Sequence, residues 1–243
     1  MQLRGRTALV TGAGRRVGRA IATALGKRGM HVAVHYGRSA DGARETAAEI
    51  EREGGQAVCL PADLTDPDAP RTLVDAALGA LGQLDVLVNS AAVMVRTPVG
   101  DVTPAQWDAM FAINLRAPFF LSQAAAPHLA RRQGAIINLA DLAAFETWPA
   151  YVPHGISKAG IVQMTRALAR VLAPDVRVNA IAPGTVLLPE NWPPEAADRL
   201  AASTPLRRLG SPDDVTRAAL FLLESDYITG ETIIVDGGRH IRS

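Results

Sequence analysis

The sequence predicts an α/β fold, a single doubly wound domain built on a seven-stranded parallel sheet. Three observations carry that expectation. Short continuous apolar runs, among them Thr7-Ala8-Leu9-Val10 and the stretch from Leu84 to Asn89, alternate with longer segments of helical period. The first run passes directly into the glycine turn Thr11-Gly12-Ala13-Gly14-Arg15-Arg16-Val17-Gly18. The chain has 243 residues of 48% hydrophobic content, enough to bury one large core, and shows no internal repeat, low-complexity tract or linker. Residues 1–243 therefore read as one domain.

Composition narrows the partners. Twenty-five Lys and Arg against 24 Asp and Glu leave a formal charge of +1, which provides no broad field for nucleic acid or an anionic membrane, so the expected ligand is a small molecule. Cys59 is the only cysteine, which excludes an intrachain disulfide, and no Cys/His cluster has metal-ligand spacing. Cys59 reads as a buried strand residue. Met1 to Arg6 lacks an apolar signal segment and no apolar run approaches 18 residues, so a cytoplasmic, soluble protein is expected.

In order along the chain, Val17, Ala20, Ile21, Ala24 and Leu25 put one apolar stripe on a first helix, so the glycines lie where its N-terminus offers free N–H groups to an anion. The spacing Gly12-x-Gly14-x-x-x-Gly18 differs from G-x-G-x-x-G. Arg15 and Arg16 either face the phosphates of a ligand or form a solvated helix start. The run His31 to Tyr36 is a second strand, buried on both faces. It ends in Tyr36-Gly37-Arg38-Ser39, where an NAD site would carry an acid for the ribose 2′-hydroxyl. Arg38 and Ser39, with Arg15 approaching from the glycine turn, suit a 2′-phosphate instead, so NADP(H) is the expected cofactor. After a helix over 40–53, a third strand Ala57-Val58-Cys59-Leu60 leads to Asp63 and Leu64. Asp63 either serves the ligand or forms a turn, and Asp66 is expected to cap the next helix with Pro67 at its first position.

A helix over 68–81 precedes the central strand that ends in Asn89-Ser90-Ala91-Ala92. Thr103 before Pro104 starts a helical stretch that breaks near Asn114 and runs toward Arg132. Asn114, amid Phe111, Ile113 and Leu115, must find a partner. The fifth strand, Ala135 to Leu139, delivers Asp141 beyond its carboxyl end, where ligands of open parallel sheets bind. The sixth strand, Val176 to Ile181, leads to Pro183-Gly184. Leu187 to Pro194 is too rich in proline for regular structure. Ser211-Pro212-Asp213-Asp214 opens another helix, and Thr232 to Val235 forms the last strand before Asp236-Gly237-Gly238.

The Thr11 to Gly18 turn, Asn89 with Ala91, Lys158 in Tyr151-Val152-Pro153-His154-Gly155-Ile156-Ser157-Lys158, Pro183-Gly184 and the last strand together resemble the short-chain dehydrogenase/reductase family over essentially the whole chain. Arg16, where the family carries a glycine, and Asp141, where most members carry serine, resemble its pteridine reductase branch. Arg16 is expected to take ordinary helical angles. The resemblance implies a Rossmann domain that holds NADP(H) through Gly12, Gly14, Arg15, Arg16, Val17, Gly18, Tyr36, Arg38, Ser39, Asp63, Leu64, Asn89, Ala91, Lys158, Pro183 and Gly184. It also implies a substrate lid near residues 185–205 and a homotetramer.

At the reaction centre the family's tyrosine is replaced by His154, four residues before Lys158. Reduction by a nicotinamide needs a proton for the atom that becomes O–H or N–H. The Lys158 charge disfavours imidazolium, and a carboxylate within about 4–6 Å would restore it, so Asp141 and His154 are expected to act as a pair. Tyr151, one helical turn before His154, is the rival donor, and Asn114 is implied to support the site. Met94, Trp148 and Trp192 are candidate substrate walls, though either Trp could instead cover core or a subunit contact. The implied activity is NADPH-dependent reduction of a small carbonyl or imine. A dihydropterin is the first candidate, supported by Arg16, Arg38, Ser39 and Asp141 and opposed by Ala92, Met94 and His154. Reduction of another ketone, or cofactor binding without catalysis, are the alternatives.

Overall fold

Seven strands form one sheet in the computed structural model, which describes residues 1–188 and 192–241. They are β1 (Thr7–Val10), β2 (His31–Tyr36), β3 (Gln56–Pro61), β4 (Val86–Asn89), β5 (Ala135–Leu139), β6 (Arg177–Pro183) and β7 (Thr232–Val235). All neighbours pair parallel, in the order β3-β2-β1-β4-β5-β6-β7. The order reverses between β1 and β4, which opens a crevice at their carboxyl ends.

Among the described residues, eight α-helices connect and cover the strands: α1 (Arg16–Lys27), α2 (Ala40–Arg52), α3 (Ala69–Leu81), α4 (Pro104–Phe111), α5 (Ala117–Ala130), α6 (Val152–Leu172), α7 (Pro194–Ser203) and α8 (Pro212–Glu224). Because successive strand residues point to opposite faces, each strand feeds two cores. Val10, Val34, Val88 and Ile181 pack with Ile21, Leu25 and Leu222 on the α1–α8 side. Leu9, Ala33, Leu87 and Ile136 pack with Leu73, Leu121 and Leu129 on the α3–α5 side. Fully buried leucines of this kind contribute about 1.5–3 kcal/mol each. No helix among the described residues is long and apolar enough to cross a membrane.

Helix starts follow local chemistry. Thr103 and Gln106 close a reciprocal capping box at α4, and Ser211 and Asp214 close another at α8. The break expected near Asn114 is a π-helical turn, Ala112–Arg116, between α4 and α5.

Three local expectations need correction. Asp66 does not cap a helix: its carboxylate accepts the Asp68 N–H at 2.9 Å in a tight turn, and α3 begins at Ala69 with Pro70 in its first turn. An Asp before Pro suits either geometry, and the path from β3 to α3 selects the turn. Pro194, assigned to irregular structure, opens α7, where a proline lacks only an N–H that would be unbonded anyway. Cys59 is half-buried, because β3 is an edge strand. Within the lid expected near 185–205, Pro189, Glu190 and Asn191 lie outside the described residues.

Candidate active site

The crevice at the reversal of strand order is closed by one hydroxyl. Thr11 Oγ1 donates to the Val88 carbonyl at 3.3 Å and accepts the N–H groups of Ser90 and Ala91 at 2.9 and 3.0 Å, joining the turn after β1 to the turn after β4. The glycines here are required by contact. A Cβ on Gly18 would lie 2.4 Å from the Gly12 carbonyl oxygen, and one on Gly14 would lie 2.8 Å from the Ser39 carbonyl. Gly12 has φ of +65°, and its Cβ would meet Ala91 Cα at 2.8 Å. Gly42, which sequence reasoning missed, is needed for the same reason, since its Cβ would meet the Gly14 carbonyl oxygen at 2.1 Å. This cradle sits at the start of α1, whose first turn carries no acidic residue, so its charge pattern suits a pyrophosphate.

Arg16 departs from expectation. It opens α1, but its φ is +54°, in the left-handed region and outside ordinary helical angles. The turn folds back to set Gly18 against Gly12, and that geometry falls on Arg16. A non-glycine residue there costs roughly 1–2 kcal/mol. The Arg16 guanidinium donates to the Leu187 carbonyl at 2.8 Å, tying the glycine loop to the segment after β6. Val17 is half-buried, and Arg15 is exposed and extended.

At the end of β2, Tyr36 is half-buried, Arg38 exposed and Ser39 precedes α2. Asp63 forms a turn, accepting the Thr65 N–H and hydroxyl at 2.9 and 2.8 Å. Those bonds, with a smaller contribution from Arg38, hold its carboxyl below the ordinary range. Leu64 is buried in the core beneath. Asn89 turns its side chain inward, donating to Asn138 Oδ1 at 2.8 Å and Ser122 Oγ at 3.2 Å, so only its backbone faces the crevice. Pro183 ends β6, and a Cβ on Gly184 would meet Asp236 Cβ at 2.8 Å.

Asp141, His154, Lys158 and Asn114 converge beyond β5. Asp141 Oδ1 accepts the Ala143 N–H at 2.8 Å, which leaves Oδ2 3.7 Å from His154 Nε2. His154 and Lys158 lie one turn apart on α6 and are 2% and 4% exposed. Lys158 Nζ donates to the Leu139 carbonyl at 2.7 Å. Burial pushes its pKa down to about 8, against the opposing pull of Asp141.

Asn114 finds a non-local partner. Its Oδ1 accepts the Val93 N–H at 2.8 Å, while Nδ2 donates to the Val93 carbonyl at 2.9 Å and to Ser157 Oγ at 3.1 Å. This clamp fixes the loop after β4 against α6. With both Asn114 protons committed, His154 Nδ1, 3.3 Å from the Val93 carbonyl, is placed to donate to that oxygen. His154 Nε2 is buried without a hydrogen-bond partner among the described residues.

Tyr151 stands one residue before α6 and belongs to a second cluster. Its ring packs edge-on against Trp148 at 6.4 Å, and the Trp148 indole donates to Glu146 Oε2 at 2.8 Å. Arg239 lies 5.7 Å above the Trp148 ring, donates to Thr185 Oγ1 at 3.0 Å and faces Glu146 at 3.5 Å. Sequence reasoning missed Arg239 and Glu146; their one signal is that Arg239 follows the Gly237-Gly238 turn. Met94 and Trp192 are exposed.

Comparison with known proteins places this geometry in context. A family model described as enoyl-(acyl carrier protein) reductase matches residues 12–240. The chain is 36% identical to 3beta-hydroxysteroid dehydrogenase 1 of Eggerthella lenta, over 97% of this chain and 94% of that one. It is 37% identical to versicolorin reductase stcU of Emericella nidulans, over 98% and 96% of the two chains. Among solved structures, the angucycline C-6 ketoreductase LanV with bound NADP superposes with a TM-score of 0.92 at 35% identity, covering 99% of this chain and 98% of that one.

Proposed function

We propose that this chain, which belongs to the short-chain dehydrogenase/reductase family, is an NADPH-dependent reductase of a small ketone. Members of the family are oxidoreductases that use a nicotinamide cofactor. The cradle of Gly12, Gly14 and Gly18 leaves room for backbone approach and none for side chains, which fits a dinucleotide. The turn after β2 offers Arg38 and Ser39 in place of a carboxylate, which favours the phosphorylated form, the form bound to LanV.

When bound, NADPH supplies a hydride; the chain's own residues must supply a proton. The observation that carries the reading is the buried His154 Nε2, without a hydrogen-bond partner and 3.7 Å from Asp141 Oδ2. In the imidazolium form, Nδ1–H is held by the Val93 carbonyl and Nε2–H is left to protonate the substrate oxygen. Asp141 Oδ2, 3.7 Å from Nε2, sets a negative charge beside the ring opposite the Lys158 ammonium. Lys158, anchored by the Leu139 carbonyl, binds the nicotinamide ribose. Tyr151, held against Trp148, shapes the pocket with Arg239. Residues 185–205 act as the lid.

A ketone is favoured over a dihydropterin because Ala92 and Met94 offer neither the serine nor the aromatic ring associated with pterin binding, and because the named relatives include a ketoreductase. Arg16 and Asp141 keep the dihydropterin as the second reading. Exposed Phe119 and Phe120 on α5 and Ile156 on α6 support assembly as a homotetramer.

Turnover of NADPH with ring ketones, β-keto esters, quinones and dihydropterins tests the reading. His154→Ala should lower kcat about 10²–10⁴-fold with NADPH affinity retained, and Tyr151→Phe should leave kcat nearly unchanged. Unchanged turnover in His154→Ala would remove His154 from the reaction. NADPH binding without turnover of any substrate would support a non-catalytic protein.

A further inference from the structure

We propose that His35 is a positioning residue for the cofactor loop, a neutral imidazole that locks Gly12 to the turn after β3 and releases it when protonated. The inference rests on the cofactor reading and extends it to a residue outside the reaction centre.

His35 is the penultimate residue of β2 and is 2% exposed. The Gly12 N–H donates to its Nδ1 at 3.1 Å, and its Nε2 lies 3.1 Å from the Ala62 carbonyl. An N–H can only donate and a carbonyl can only accept, so the two partners together require a neutral ring with its proton on Nε2. The backbone carbonyl of the same residue accepts the Ala13 N–H at 2.9 Å. One residue thus holds two successive N–H groups of the glycine loop. Ala62 is followed by Asp63 and Leu64, so the ring joins the phosphate side of the crevice to its adenine side.

Gly12 cannot relax elsewhere. It is in the left-handed region and already abuts Ala91, so a change in its N–H contact is transmitted to the cradle. Protonation of His35 would set Nδ1–H against the Gly12 N–H, donor against donor. Burial disfavours that charged form and pushes the pKa of His35 down, with the Ala62 carbonyl opposing. The titratable groups on the elements around β2 are Asp63 and Cys59 around β3, Arg15 and Arg16 in the glycine loop, Arg19 and Lys27 on α1, Asp41, Arg44, Glu45, Glu49, Glu51 and Arg52 on α2, Arg71 and Asp75 on α3, and Tyr36 and Arg38 after His35 itself. The shift of His35 is attributed to none of them.

The test is NADPH affinity, read by cofactor fluorescence, for the full chain and for His35→Asn and His35→Ala between pH 5 and pH 8. Asparagine presents an acceptor and a donor but does not titrate in this range, and the pH dependence of the cofactor's 2′-phosphate is common to all three proteins. At pH 8 the wild type and His35→Asn should agree within about threefold, with His35→Ala at least tenfold weaker. Toward pH 5 the wild type should weaken progressively relative to His35→Asn. Nitrogen NMR of the free protein should show His35 as the Nε2–H tautomer with Nδ1 accepting a hydrogen bond. Equal pH profiles for wild type and His35→Asn, or an Nδ1–H tautomer, would overturn the lock; the asparagine comparison still decides if His35→Ala fails to fold. A wild type that binds neither NADPH nor NADH would instead overturn the cofactor reading.

Discussion

Two buried polar groups at opposite edges of the sheet, Asp85 at the amino edge and His154 at the carboxyl edge, are treated in opposite ways. At the amino edge, Asp85 is fully buried and fully used: it accepts the Thr7 N–H and hydroxyl, the Gln83 amide, and the guanidinium groups of Arg6 and Arg132. At the carboxyl edge, His154 Nε2 and Arg239 Nε are buried without partners among the described residues, and Lys158 is held with its pKa pushed down. The same chain that surrounds one carboxylate with five donors leaves a neighbouring layer incomplete. Unpaired buried groups destabilise a fold, and His31 Nδ1 and Thr232 Oγ1 at the amino ends of β2 and β7 are without partners too; His154 Nε2 differs in standing beside Asp141 and Lys158 at the crevice, where a ligand can complete it.

Breaking the satisfied edge should have the largest effect on stability. Asp85→Ala leaves the Thr7 N–H and two guanidinium groups without their acceptor and should cost about 3–5 kcal/mol in urea unfolding. Turnover per folded molecule should be retained. Substitution at the incomplete edge should act with the opposite sign. Lys158 has its pKa lowered from 10.5 to about 8 in the folded protein, so folding opposes its charged form. Below pH 8 both states are protonated and the full penalty applies. Between pH 8 and 10.5 the unfolded state binds the extra proton, so this penalty fades as pH rises. Lys158→Met should therefore stabilise the protein by about 3 kcal/mol at pH 7, with the gain shrinking toward pH 10.5 and with turnover lost. A destabilised Lys158→Met would contradict the assignment of cost to this edge.

Arg16→Gly should give the smallest change. It relieves a left-handed arginine and should raise stability by about 1 kcal/mol or less, since glycine also gains freedom in the unfolded chain. The loss of its bond to Leu187 should make NADPH binding weaker, measured beside the unfolding curve.

Much of the fold was legible. The bounds of β2 and β5 follow from continuous apolar runs, and α4 and α8 start where capping chemistry places them. Asp66 misled because an Asp-Pro pair fits a cap or a turn equally well in isolation. Arg16 misled because its conformation is set by the contact between Gly18 and Gly12, not by its own preference. His35, Glu146 and Arg239 were missed because their partners are distant in the chain or lie in turns that carry no local signature.

The sequence by itself determined the alternation of strand and helix, the glycine cradle, the absence of an acid after β2, and the presence of histidine four residues before Lys158. These are properties of spacing and of residue chemistry, which a linear chain displays. Only the tertiary structure decided that His154 Nε2 faces Asp141, that His35 spans Gly12 and Ala62, and that Lys158 is buried. Distance and desolvation come from elements that meet only when the chain folds, and they set which of these groups hold or release a proton.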